Sequence, residues 1–244
     1  MPEEKNTFRP ALIAAGTAIG TAAAVYAFVI RPRILRWGAT DSDTQRQLPG
    51  DAIVINPAVQ SDRVVTIQAS PDQIWPWLVQ IGYGRGGWYS YDAVEEAIGA
   101  GEFVDGHSAN RIVPELQELA VGDVIRMTDD TYFTVVELEP DRYMLLRMRT
   151  HPFSGQAYDL YGHAPEGPYL EATWLFHLAD QADGYTRLHA RLRADFKPRI
   201  PLQLLGAVTI DPAHFAMERK MLLGIKQRAE AYHDRHLLSP APSR

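Results

Sequence analysis

The chain is predicted to fold as an α+β protein in which a curved antiparallel sheet wraps a long C-terminal helix, preceded by one transmembrane helix. Three observations carry this expectation. Ala11 to Ile30 is a run of 20 residues without a charge, apolar and polar residues alternate through much of Val121 to Phe196, and Asp211 to His236 returns to a helical stripe.

The uncharged run comes first. As a helix rising about 1.5 Å per residue it would span roughly 30 Å, the thickness of a bilayer's hydrocarbon core. Eight of its 20 residues are Ala, so a cleaved secretory signal is the alternative, with Lys5 and Arg9 as its basic region and Val25-Tyr26-Ala27 as its cleavage site. Arg31, Arg33 and Arg36 follow that site directly. Positive charge there resists translocation and favours a retained single-pass membrane anchor, with the globular part in the cytoplasm. Gly16 and Gly20 form a G-x-x-x-G pattern through which two tethers could pair as a homodimer, although an Ala-rich segment produces that spacing by composition alone.

Residues 1–40 are therefore expected to be anchor and basic juxtamembrane segment, and 41–60 a linker, punctuated by Pro49-Gly50 and Asn56-Pro57. About 200 residues remain, enough for one domain, placed at 61–237 with a tail at 238–244. Hydrophobic content of 46% with 22% charged residues is that of a folded chain. There is no cysteine, which excludes disulfides, thiolate metal sites and cysteine nucleophiles. Beyond Thr40 the chain holds 19 basic and 28 acidic residues, a balance that argues against nucleic acid as a partner.

Within the domain, Arg63 to Ala69 alternates as a strand and stops at Ser70-Pro71-Asp72, an N-cap followed by a first-turn proline. The helix that follows, Asp72 to about Ile81, carries Ile74, Trp77, Leu78 and Ile81 at helical spacing, has Pro76 inside, and ends at Gly82-Tyr83-Gly84-Arg85-Gly86-Gly87. A short second helix begins at Asp92, with Asp92 and Glu95 spaced as a capping box. Strands are then expected at Asp123–Met127, Tyr132–Leu138, around Met144–Met148, at Tyr169–Leu178 and around Leu188–Phe196. Met144, Leu146, Met148, Trp174, Phe176, Leu188, Ala190 and Leu192 fall on the apolar phase, and His177 and His189 on the wet one. The closing helix places Phe215, Leu222, Ile225 and Ala229 on its stripe and Glu218, Arg219 and Lys220 off it.

Several stretches resemble the START-like (SRPBCC, helix-grip) superfamily, in particular its bacterial polyketide cyclase/dehydrase-like and lipid-transport-like branches. They are Ser70-Pro71-Asp72-Gln73-Ile74-Trp75-Pro76-Trp77-Leu78, Gly84-Arg85-Gly86-Gly87-Trp88-Tyr89-Ser90-Tyr91-Asp92, Arg111-Ile112-Val113-Pro114-Glu115 and His214-Phe215-Ala216-Met217-Glu218-Arg219-Lys220. Arg31-Pro32 and Leu35-Arg36-Trp37-Gly38 are similar to the juxtamembrane segment of tethered relatives. The resemblance implies a deep cavity between sheet and C-terminal helix, used by members for lipids, sterols, polyketides, plant hormones or quinones. It implies no particular reaction, and no catalytic motif of the family maps onto this chain.

A ligand-binding set follows from the two readings together: Trp88, Tyr89 and Tyr91 at the cavity mouth, Met144, Met148, Trp174 and Phe176 on the inner strands, Arg111 at the rim and His214 at the start of the last helix. Each has a plainer alternative. The aromatics also suit core packing, Arg111 with Glu115 suits a turn tie, Asp92 suits a helix cap, and His214 beside Asp211 suits a structural helix start. The glycine-rich loop matches neither nucleotide-binding glycine pattern and lies between two helices. No catalytic residue, metal ligand or cofactor is assigned, since no G-x-S-x-G elbow or metal-binding spacing is present. The expected function is a membrane-tethered binding or carrier domain for a hydrophobic small molecule, a lipid, quinone or polyketide-like compound. A cyclase or dehydratase-like enzyme, and a ligand-free protein-interaction module, are the alternatives.

Overall fold

The computed structural model describes residues 20–163 and 165–238. It is an α+β structure built on one six-stranded antiparallel sheet and a long C-terminal helix. Residues 20–25 are helical and continue through a π-helical stretch, Tyr26–Ile30, into helix α1 (Arg31–Leu35); α2 (Asp41–Gln45) follows, and then strand β1 (Val59–Ile67). Then come α3 (Pro71–Val79), α4 (Asp92–Ala97), and five strands: β2 (Val124–Arg126), β3 (Tyr132–Glu139), β4 (Tyr143–Thr150), β5 (Tyr169–Asp180) and β6 (Thr186–Lys197). Helices α5 (Arg199–Val208) and α6 (Ile210–Leu238) end the described chain.

The strand order is β1-β6-β5-β4-β3-β2, so β1 pairs with the last strand and every other neighbour is a hairpin partner. Alternation in the sequence sets the two faces because side chains of successive strand residues point to opposite sides. Met144, Leu146, Trp174, Phe176, Leu188 and Ala190 all lie on one face, and Met221, Leu222, Ile225 and Ala229 of α6 are buried in the same core. Helix α3 starts as expected at Ser70, whose backbone N–H donates to the Gln73 side chain at 3.1 Å. Its last turn is closed by Arg85, which donates to the carbonyls of Val79 and Ile81.

The transmembrane expectation is corrected. Residues 11–19 of the proposed span lie outside the described residues, as does Gly16 of the G-x-x-x-G pair. Among the described residues no helix is long and apolar enough to cross a membrane, which overturns the single-pass, cytoplasm-facing localisation. Of the described part of the span, 20–30, only Tyr26 is partly buried, and Val25, Phe28, Val29 and Ile30 are exposed; Tyr26 and, just after the span, Arg31 contact the C-terminal helices. Tyr26 donates its hydroxyl to the Ala207 carbonyl, and Arg31 pairs with Asp211 at 2.8 Å.

The stretch read as a linker is also packed. Leu48 and Val54 are buried, and Leu48 joins Leu145 and Leu175 in a small second core on the outer face of the sheet. Arg191 fastens this cover to the sheet, donating to Asp62, to Asp51 and to the carbonyls of Asp43 and Arg46. His177 and His189 are cross-strand partners as expected. His189 is buried, bonded to Asp62 at 2.8 Å, rather than facing water. The capping box at Asp92 is absent: Asp92 accepts from Ser108 N and Oγ, and Glu95 turns inward to the backbone of Trp88 and Ser90.

Candidate functional site

Cross-strand register builds the inner face in rows. Met144, Phe176, Ala190 and Arg63 form one; Leu146, Trp174, Leu192 and Ser61 form the next; Met148, Ala172 and Ala194 form a third. Exposure rises along this series. Met144, Phe176 and Ala190 are fully buried, whereas Met148 and Ala194 each retain 8% and Leu192 is half-buried. Burial on the inner face is thus least complete at the Met148 row, on the side where α5 leaves β6.

Above the middle row stands Trp174, ringed by aromatic side chains. Trp88 stacks on it with centroids 5.5 Å apart, Phe176 and Phe133 lie at 4.9 and 5.7 Å, and the His214 ring meets its edge at 5.8 Å. Trp88 is delivered by the glycine loop, where Gly82 and Gly87 exchange backbone hydrogen bonds. Gly87 has φ +79 and a Cβ there would lie 2.8 Å from the Phe103 ring, so the turn excludes other residues. Glu95 holds the far side of that turn by accepting from Trp88 N at 3.4 Å and Ser90 N at 3.1 Å. Burial pushes its carboxyl up to about 7, against the lowering effect of those two bonds.

Trp174 also anchors a buried polar group. Its Nε1 donates to Glu218 Oε1 at 2.7 Å, while Glu218 Oε2 takes an ion pair from Arg63. One turn earlier on α6, His214 sits with Nδ1 3.0 Å from Arg63 Nη1 and Nε2 3.9 Å from Glu218 Oε1. A guanidinium only donates, so Nδ1 is the acceptor and the imidazole proton is on Nε2, facing Glu218. Burial, supported by the Arg63 charge, lowers the His214 pKa against the pull of Glu218 and Asp211, which keeps the ring neutral. Arg63 further donates to the Ile34 carbonyl at 3.1 Å and lies over the Phe215 ring. Two buried polar atoms on this face of β1 have no partner among the described residues, Arg63 Nη2 and Ser61 Oγ.

Of the residues expected from the sequence, Trp88, Trp174, Phe176 and His214 come together here. Met144 and Met148 share the inner face, Met144 fully buried and Met148 in the row where burial is least complete. Tyr89 turns away, bonded to Gln80 and covered by Arg228. Tyr91 is 46% exposed with Lys220 over its ring. Arg111 is exposed and bonded through Nε and Nη2 to Asp105, at 3.1 and 2.8 Å.

Three residues of the group were missed, Ser61, Arg63 and Glu218, and a signal for two of them was present. Arg63 is in phase with Val65 and Ile67, a charge on the apolar side of its strand. Glu218 stands four before Leu222 and seven before Ile225, on the stripe rather than off it.

No family model matches the chain, and no curated protein matches it either. Solved structures do. A hypothetical protein, jhp0584, from Helicobacter pylori is 13% identical, with 75% of this chain and 95% of that one covered and a TM-score of 0.41. DynU16, a protein in the dynemicin biosynthetic locus, is 15% identical over 72% of this chain and 48% of its own, with a TM-score of 0.33. CalU16 from Micromonospora echinospora is 13% identical over 72% and 86%, with a TM-score of 0.29. These scores describe a loose likeness, and the chain's own side chains define the site.

Proposed function

We propose that the chain is a START-like, helix-grip binding or carrier protein for a hydrophobic small molecule that bears an oxygen acceptor, in the class of lipids, quinones and polyketide-like compounds. One observation carries the reading. Arg63 Nη2 and Ser61 Oγ are buried and unpartnered among the described residues, in the same two rows of the inner face as Phe176 and Trp174. An unpaired buried donor costs about 1–3 kcal/mol, and a carbonyl or carboxylate lying against the tryptophans would satisfy it. A ligand burying about 300 Å² of apolar surface gains roughly 7 kcal/mol before association costs, which sets the expected affinity at about micromolar or weaker.

Native mass spectrometry of the full chain, followed by organic extraction, tests this. A discrete apolar compound carrying a carbonyl or carboxylate supports the reading. A chain that co-purifies empty and leaves its tryptophan emission unchanged when titrated with long-chain fatty acid and with a short-chain quinone overturns it.

The neutral His214 favours a second reading, a cyclase or dehydratase-like reaction. A carbonyl that draws Arg63 toward itself would free the Nδ1 lone pair. That nitrogen could then take a proton from the carbon beside the carbonyl and return it to a departing hydroxyl, releasing water. In this reading His214→Asn would abolish loss of water from a bound β-hydroxy carbonyl compound while leaving its affinity within about threefold. Binding without turnover in the unsubstituted chain removes it.

A further inference from the structure

The outer face of the sheet carries a cavity, separated from the inner group by the sheet itself. It has a volume of about 310 Å³ and lies between the covering segment and the β5–β6 hairpin. Thr40, Ser42, Asp43 and Arg46 line it from the cover, and His177, Ala179, Gln181, Arg187 and His189 from the hairpin. That volume is at the lower end of the range for small-molecule sites.

Its charges are unevenly spent. Asp43 already accepts from Thr40 N, Thr40 Oγ1 and Arg187 Nη2, at 2.7, 2.7 and 2.6 Å. The Asp62 carboxylate behind His189 accepts from His189, Arg191 and Gln60. Arg46 is different: its carbonyl is used by Arg191, while its guanidinium has no carboxylate partner among the described residues. Around the half-buried His177 stand Arg46 from the cover, Arg142 and Tyr143 from β4 and the turn before it, and Arg187, His189 and Arg191 from β6. Arg187 is paired with Asp43, Arg191 with Asp51 and Asp62, and Arg142 with Glu139, so of this ring of cations Arg46 is the one that no carboxylate meets among the described residues.

We infer that this cavity is a binding site for a small soluble molecule bearing an oxyanion, phosphoryl or carboxylate, its charge met by Arg46 and its oxygens by His177 and Ser42. Protonation follows from the same geometry. Burial, then the charges of Arg46, His189, Arg142 and Arg191, hold the His177 imidazole down at about 4, so it is neutral at pH 7. A bound oxyanion stabilises the imidazolium and raises that pKa. Binding therefore takes up a proton, and affinity increases as pH falls toward 5.

The test uses the full chain at low ionic strength, with imidazole resonances followed by NMR. Sulfate and succinate are the probes, because sulfate keeps its charge between pH 5.5 and 7.5. The expected result is a saturable shift of the His177 resonance, several-fold tighter with sulfate at the lower pH, and about tenfold weaker binding in Arg46→Gln. Arg46 is exposed, so this substitution leaves the fold intact, which circular dichroism verifies. Preference for sulfate identifies a phosphoryl-type ligand and preference for succinate a carboxylate. No saturable shift with either probe, or equal affinity in Arg46→Gln, overturns the inference.

Discussion

At the scale of single residues, Arg63 and Glu218 are worth more as a pair than either is alone. Both are almost fully buried, so removing one leaves the other's charge without compensation. Arg63→Met is expected to destabilise the fold by about 3–5 kcal/mol, measured by urea unfolding, and Arg63→Met with Glu218→Leu to recover much of that loss. The double variant separates stability from function. It should be folded and should no longer retain a ligand whose acceptor Arg63 meets.

Two titrating residues act in opposite directions. Glu95 has a folded pKa raised to about 7, so the folded chain holds a proton that the unfolded chain has released, and stability falls as pH rises from 4.5 toward 7. His177 has a folded pKa lowered to about 4, so its contribution is fully present above 6.5 and is lost as pH falls toward 4. Each is worth up to ~3 kcal/mol, and between about pH 4.5 and 6.5 they largely cancel. Glu95→Gln should unmask a stability that climbs with pH over this window, and His177→Gln one that declines. A pH series of unfolding midpoints that shows the same slope for both variants would refute this assignment.

At the scale of elements, the position of α6 depends on a close approach to the loop that carries Trp88. A Cβ on Gly224 would come within 2.5 Å of the Tyr89 carbonyl oxygen, while Ser90 Oγ donates to the Met217 carbonyl nearby. Gly224→Ala should push helix and loop apart, costing about 1–3 kcal/mol, and lower the melting temperature by several degrees. The cover on the outer face depends on Arg191. Arg191→Met removes a cation from Asp51 and Asp62 and the donors to the Asp43 and Arg46 carbonyls, and amide exchange over residues 41–56 should accelerate before that of the strands beneath.

At the scale of the molecule, the sheet is covered on both faces, by α6 within and by the segment before β1 without. Leu145 and Leu175 are fully buried only because Leu48 and its neighbours lie over them. A chain that begins at Ser61 is therefore expected to expose an apolar patch and to self-associate, which sedimentation velocity would detect, whereas the full chain should sediment without that association.

Much of this architecture was readable in advance, and the failures have physical causes. Strands β2 to β6 and the closing helix follow from patterns of period 2 and 3.6, which local geometry imposes on neighbouring residues, and their expected bounds differ from the observed ones by at most two or three positions. Helix α5 escaped because its face carries Ile200, Leu204 and Leu205 out to the surface, so burial never imposed a polar side on it. Hydropathy records what a side chain avoids and not where it is placed, so it could not show that Tyr26, inside the uncharged run, and Arg31, just after it, meet α5 and α6. Tyr26 and Arg31 packing on α5 and α6 is a contact across some 180 residues.

The candidate site divides along the same line. Alternation alone placed Trp174 and Phe176 on one face and His177 and His189 on the other, since a strand offers each residue only two directions. It left undecided what would cover either face, and so it could not separate the buried His189 from a solvated one or bring Arg63 to Glu218. Those pairings join residues 127 and 155 positions apart, and only the folded chain brings such residues within reach. A charge on an apolar phase marked where a partner was needed, and packing α6 against β1 decided which residue it would be.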